Sequence, residues 1–71
     1  MAHTINIRIG RKIKELRRKC GLTQEELAER VKTSYKYVQR IEGKSPPDLR
    51  VSSLERFAKA LKTTPLKLLG P

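Results

Sequence analysis

Between Ser34 and Gly43 the chain reads Tyr35-Lys36-Tyr37-Val38-Gln39-Arg40-Ile41-Glu42. At 100° per residue, Val38 and Ile41 define the buried side of a short helix, and Lys36, Gln39 and Arg40 project from the opposite side. Tyr35 and Tyr37 flank them. An ammonium and a guanidinium donate hydrogen bonds, and a carboxamide both donates and accepts. This is recognition chemistry. Arg40 and Lys36 suit guanine O6 and N7, Gln39 suits adenine, and Tyr35 at the helix start suits a base or a thymine methyl. A cationic and amide-bearing face about two turns long fits the major groove of duplex DNA, which admits a helix and displays distinguishable base edges. The ordinary alternative is an exposed polar face.

Bond-breaking chemistry has no comparable support. The sequence holds no Ser–His–Asp set, no phosphate-cradling glycine loop and no metal-ligand cluster. Its only histidine is His3 and its only cysteine is Cys20. We therefore expect no enzyme activity, no metal and no cofactor, and Cys20 reads as a small apolar residue ending the first helix. One unpaired thiol suits a reducing cytoplasm.

Charge points to a polyanion. Seventeen Lys and Arg against seven Asp and Glu give a formal charge of +10 on 71 residues. Arg8, Arg11, Lys12, Lys14, Arg17, Arg18 and Lys19 fall in one segment. Such an excess is self-repelling and favours nucleic acid or an anionic membrane surface, the bland alternative being a solvated basic helix. No apolar run approaches the roughly 18 residues of a membrane span. Met1 to Arg8 has no signal-peptide pattern, so a cytoplasmic protein is expected.

The elements that must position these groups follow from periodicity and caps. Ile5, Ile9, Ile13, Leu16 and Cys20 recur as one face of a first helix. Asn6 is its expected N-cap and Gly21 takes the left-handed position after it. The alternation of Ile5, Ile7 and Ile9 also allows a short strand, and the longer helical stripe is preferred. Thr23 and Glu26 form a capping box, bracketed by Leu22 and Leu27 at the positions of a hydrophobic staple. The second helix then starts at Gln24 and buries Leu27, Ala28 and Val31. Ser34 caps the third, Tyr35 to Glu42, and Gly43 ends it. Pro46 and Pro47 make Lys44 to Arg50 a loop. Ser52 and Glu55 read as a second capping box, opening a helix that buries Leu54, Phe57, Ala58 and Leu61. Thr64 and Pro65 suit the cap and first position of a last helix carrying Leu66, Leu68 and Leu69. The division is a flexible N-terminus at 1–5, one domain at 6–69 with a helix-turn-helix at 23–42, and an end at 70–71.

The run LTQEELAERVKTSYKYVQRIEGK resembles the lambda-repressor and Cro-like, or XRE-type, family of DNA-binding domains. The resemblance extends over roughly Ile9 to Leu69. Its most specific parts are Leu22-Thr23-Gln24-Glu25-Glu26-Leu27-Ala28 and the spacing of Val38, Ile41 and Glu42. It implies an all-α, compact five-helix bundle of the lambda-repressor-like type that binds double-stranded DNA, with helix 35–42 in the major groove. The family residues matching Tyr35, Lys36, Gln39 and Arg40 include base readers. The glutamine matching Gln24 holds a DNA phosphate, a role suited to a helix N-terminus. Ser34, Tyr37, Lys32, Lys44 and Arg50 are the other expected phosphate contacts. Arg17 and Glu42 match an ion pair between the first and third helices, read as solvent-exposed and thus orienting more than stabilising.

Three departures stand out. Lys32 occupies a turn position where the family usually has glycine, so a left-handed turn costs on the order of 1 kcal/mol or is reshaped. One residue is missing around Gly43, and the loop Ser45 to Arg50 is longer than usual. The expected role is transcriptional regulation. The alternative is an antitoxin or adaptor-type protein-interaction module on the same fold. With the chain ending two residues after Leu69, no effector domain is expected. Leu66, Leu68 and Leu69 suggest a homodimer on a palindromic site, or simply close the core. A protein partner is compatible with either; neither a membrane nor a small-molecule ligand is expected.

Overall fold

Five helices succeed one another in a computed structural model that describes residues 4–70: α1 Thr4–Lys19, α2 Gln24–Val31, α3 Tyr35–Ile41, α4 Val51–Ala60 and α5 Pro65–Leu69. No strand is present among the described residues. The helical reading of the first segment therefore holds over the strand alternative.

The first helix differs from expectation in its start and its buried face. It begins at Thr4, so Asn6 is inside the helix and is not its cap. Thr4 and Ile5, expected in a flexible tail, are helical; residues 1–3 of that tail lie outside the described residues. The buried stripe is Asn6, Ile9, Gly10, Ile13 and Arg17. It is rotated from the apolar stripe, leaving Ile5 and Cys20 exposed and Leu16 only half-buried. Two polar residues take the inner face because each meets a polar partner from elsewhere in the fold. The Asn6 amide donates to the Asp48 carboxylate in the loop before α4, and Arg17 meets Glu42.

Gly10 sets the crossing of α1 over α3. A Cβ at this position would overlap the Ile41 carbonyl oxygen. Only the absence of a side chain lets the two backbones approach this closely.

The local signals of α2 appear as read. Glu26 N–H donates to Thr23 Oγ1 at 3.0 Å and Thr23 N–H donates to Glu26 Oε1 at 2.9 Å. Leu22 and Leu27 are both buried. Lys32 ends α2 at φ 63°, so the left-handed turn is retained with a lysine in it. The same device closes α4, where Lys62 sits at φ 57°. In each case the following threonine donates back into the helix, Thr33 to Ala28 O at 2.9 Å and Thr63 to Ala58 O at 2.8 Å. Ser34 and Thr64 then cap the next helix, accepting from Tyr37 N–H and Lys67 N–H. Each turn is thus set by its backbone bonds and by the cap after it. The lysine bears the conformational cost.

The second expected capping box does not form. α4 starts at Val51, its N-cap is Arg50, and no side chain caps it. Ser52 therefore lies within the first turn. The core joins all five helices through Ile13, Leu27, Val38, Ile41, Phe57 and Leu68, each fully buried. Burial of this set is the main favourable term in so small a domain. In the loop between α3 and α4, Pro46 is buried and Leu49 packs on the core.

Candidate nucleic-acid interface

α3 presents the two faces its sequence implies. Val38 is 0% and Ile41 1% exposed, whereas Tyr35, Lys36, Gln39 and Arg40 are all exposed. Gln39 Nε2 donates to Tyr35 Oη at 3.0 Å, one helical turn back. This bond uses one amide hydrogen and leaves the other, with the amide oxygen, free for a partner. The two side chains are therefore partly preorganised with respect to each other. Tyr37 is different: half-buried and packed on the core, it is a partial structural support as well as an expected phosphate contact.

What fixes the angle of this helix is a buried polar network. Arg17 Nε and Nη2 donate to the two Glu42 oxygens at 2.8 and 3.0 Å. Arg17 Nη1 donates to Leu22 O at 2.7 Å, and Gln24 Nε2 donates to Glu42 Oε1 at 3.1 Å. The side chains of Arg17 and Glu42 are only 10% and 2% exposed. The solvent-exposed pair expected from sequence is thus a buried, bidentate one. The fork of the guanidinium matches the carboxylate, and its remaining nitrogen is held by the Leu22 carbonyl. One network joins the body of α1, the turn before α2, the N-terminus of α2 and the end of α3. Removing Arg17 or Glu42 would leave the other's charge buried and uncompensated.

Gln24 is half-buried at the first turn of α2. With Arg17, Thr23, Glu25 and Tyr35 it borders a shallow cleft, which brings the expected phosphate ligand beside the start of α3. Ser34 Oγ accepts from Tyr37 N–H at 3.1 Å, so its own hydroxyl hydrogen is available outward. Lys32, Lys44 and Arg50 are exposed, Lys32 in the turn before α3 and the other two at the ends of the loop after it.

The carboxyl of Glu26 is held below its ordinary 4.5, chiefly by the Thr23 backbone N–H and next by the Thr23 hydroxyl. A negative charge is therefore retained at the positive end of α2, where it supports the helix dipole.

Three positioning contacts escaped sequence reasoning. Gly10 had a readable signal, since glycine within a helical pattern costs about 1 kcal/mol and implies a packing reason. The Asn6–Asp48 bond had none, because its partners are 42 residues apart. Arg56 of α4 donates to Lys32 O at 3.3 Å and braces the turn between α2 and α3.

A family model described as a helix-turn-helix domain matches residues 8–68. The chain belongs to this helix-turn-helix family. Among solved structures, the helix-turn-helix chain is similar to the biofilm regulator SinR in complex with DNA, at 29% identity and TM-score 0.82. That match covers 87% of this chain and 98% of SinR. The restriction-modification controller C.AhdI from Aeromonas hydrophila is 27% identical with TM-score 0.85, over 93% of this chain and 98% of its own. The C.Esp1396I protein bound to a 19 base pair DNA duplex is 29% identical with TM-score 0.81, over 93% and 87% of the two chains. No curated protein matches in sequence. The helix-turn-helix of this chain therefore sits in the lambda-repressor-like bundle that its sequence resembles.

Proposed function

We propose that this chain is a sequence-specific regulator of transcription that binds double-stranded DNA with α3 in the major groove. One observation carries the reading: Val38 and Ile41 are buried, so Lys36, Gln39 and Arg40 stand outward on a helix held by the Arg17–Glu42–Gln24 network. Tyr35, Lys36, Gln39 and Arg40 are the proposed base readers. Gln24, Ser34, Lys32, Lys44 and Arg50, with the edge of Tyr37, are the proposed phosphate contacts. Phosphate contacts set register and base contacts set sequence. The similarity to SinR and C.Esp1396I, both seen with DNA, supports the duplex-binding reading.

The working form in this proposal is a homodimer. Leu68 closes the monomer core, while Leu66 is 78% exposed and Leu69 38% exposed on α5. The expected leucine set thus divides: one residue serves the core and two are free for a second copy. A two-fold dimer would read half-sites about 34–36 Å apart.

Selection of bound sequences from random duplexes tests the whole reading, because it returns both the preferred site and its symmetry. Substituting Arg40 or Lys36 with Ala should cost roughly 1–3 kcal/mol and relax preference at particular base pairs. Gln24→Ala should weaken all sites about equally. Uniform loss from the Arg40 and Lys36 variants across a randomised library would refute their assignment as base readers.

A further inference from the structure

We propose that Arg11 and Lys14 of α1, together with Lys44, form a second phosphate-binding cleft that holds the backbone of the bound duplex beside the end of α3. The inference rests on the DNA-binding reading above and extends it to a surface of α1 that the base readers do not use. The cleft measures about 310 Å³ and is lined by Ile7, Arg11, Lys14, Glu42, Gly43 and Lys44.

Its charge is strongly one-sided. Glu42 is the sole acid in the lining, and both its oxygens are engaged by Arg17 and Gln24. Its charge is therefore matched within the network and does not neutralise the cleft. Among the described residues the ion pairs are Arg17–Glu42 and Lys19–Glu15, so Arg11, Lys14 and Lys44 have no acidic partner. Asp48 is the sole acid between Lys44 and Arg50, and its carboxylate is occupied by Asn6. Three cations around one concavity repel each other, and a polyanion lying across it relieves that repulsion.

The cleft is also in the right place. Glu42 caps α3 and bonds Gln24 on one side while bordering the cleft on the other. The site therefore adjoins the recognition helix directly. Arg11 and Lys14 border a neighbouring depression with Arg18 and Lys19, where Glu15 is held by Lys19 at 3.2 Å. A cationic track thus continues along α1 from the end of α3. A row of cations matches a row of phosphodiesters, which present one negative charge per nucleotide, better than it matches a single small anion.

Salt titration of binding to a random-sequence duplex pool tests the proposal. Each lost phosphate contact lowers the log–log salt slope by about 0.9, so Arg11→Ala with Lys14→Ala should lower it by about 1.8. The site preference returned by selection should stay as in the wild type, and the pair Arg11→Lys with Lys14→Arg should keep the wild-type slope. Lys12→Ala with Lys67→Ala removes the same charge from a different cleft, between α1 and α5, and should change the slope much less. A wild-type slope in the Arg11/Lys14 alanine pair, or an equal fall in the Lys12/Lys67 pair, would overturn the cleft while leaving the recognition helix standing. A wild-type chain that bound no duplex would overturn the parent reading and this one with it.

Discussion

Replacing Gly10 with alanine should destabilise the domain even though alanine is the better helix former. In an open helix the exchange gains roughly 0.5–1 kcal/mol, because glycine loses more backbone freedom on folding. At this position the new Cβ would overlap the Ile41 carbonyl oxygen, and the obstacle is backbone with no side chain to swing aside. Carbon and carbonyl oxygen need about 3.3–3.6 Å between them, so α1 and α3 must part by on the order of 1 Å. Overpacking of this sort costs about 1–3 kcal/mol. With the propensity gain subtracted, a net loss of about 2 kcal/mol remains at the upper end. A domain of this size has about 4–10 kcal/mol in all, so the change is large. Near 4–8 °C per kcal/mol for such a domain, it corresponds to a fall in Tm of about 8–16 °C. Thermal unfolding by circular dichroism reads it. Gly21→Ala is the control: its φ is 71° with nothing within 4 Å, so its cost comes from backbone conformation alone. DNA affinity of Gly10→Ala, measured well below its Tm, should fall as well, since parting α1 from α3 pulls Arg17 away from Glu42. A Gly10→Ala variant melting at or above the wild type would refute the close crossing and the account of how α3 is held.

Three other outcomes follow from the same contacts. Glu42→Ala should cost about 3–5 kcal/mol, because it leaves the Arg17 guanidinium buried without its carboxylate; a loss under about 1 kcal/mol in urea unfolding would show the pair to be solvated. Lys32→Gly and Lys62→Gly should each stabilise by about 1 kcal/mol, since both lysines hold left-handed backbone that glycine adopts freely; denaturation midpoints that fall on substitution would contradict this. The Glu26 carboxyl titrates lower in the folded chain than its ordinary 4.5, so its contribution is present above that value and is lost as pH falls through the folded pKa. Melting temperatures of wild type and Glu26→Gln should therefore converge on acidification below about pH 4.5, and a gap independent of pH would remove the capping-box carboxylate from the account.

The sequence by itself determined what lies within about one helical turn. The Thr23–Glu26 box, the Ser34 and Thr64 caps and the left-handed Gly21 each depend on residues one to four positions apart, and all are found. The recognition face was legible for the same reason: Val38 and Ile41 are three apart, so their burial dictates where Lys36, Gln39 and Arg40 point. The false box at Ser52 and Glu55 shows the limit of such signals, because a residue pattern suited to a cap is idle once the chain enters α4 two residues earlier, with Arg50 as the N-cap. Tertiary structure decided the rest. Asn6 and Arg17 turn inward where an apolar stripe was expected, since Asp48 and Glu42 offer partners that make their burial affordable. Leu66 turns outward while Leu68 fills the core. Gly10 matters only because α3 crosses there. Local periodicity states which residues of a helix share a face; which neighbour that face meets, and with what polar partner, is settled by contacts between segments distant in sequence.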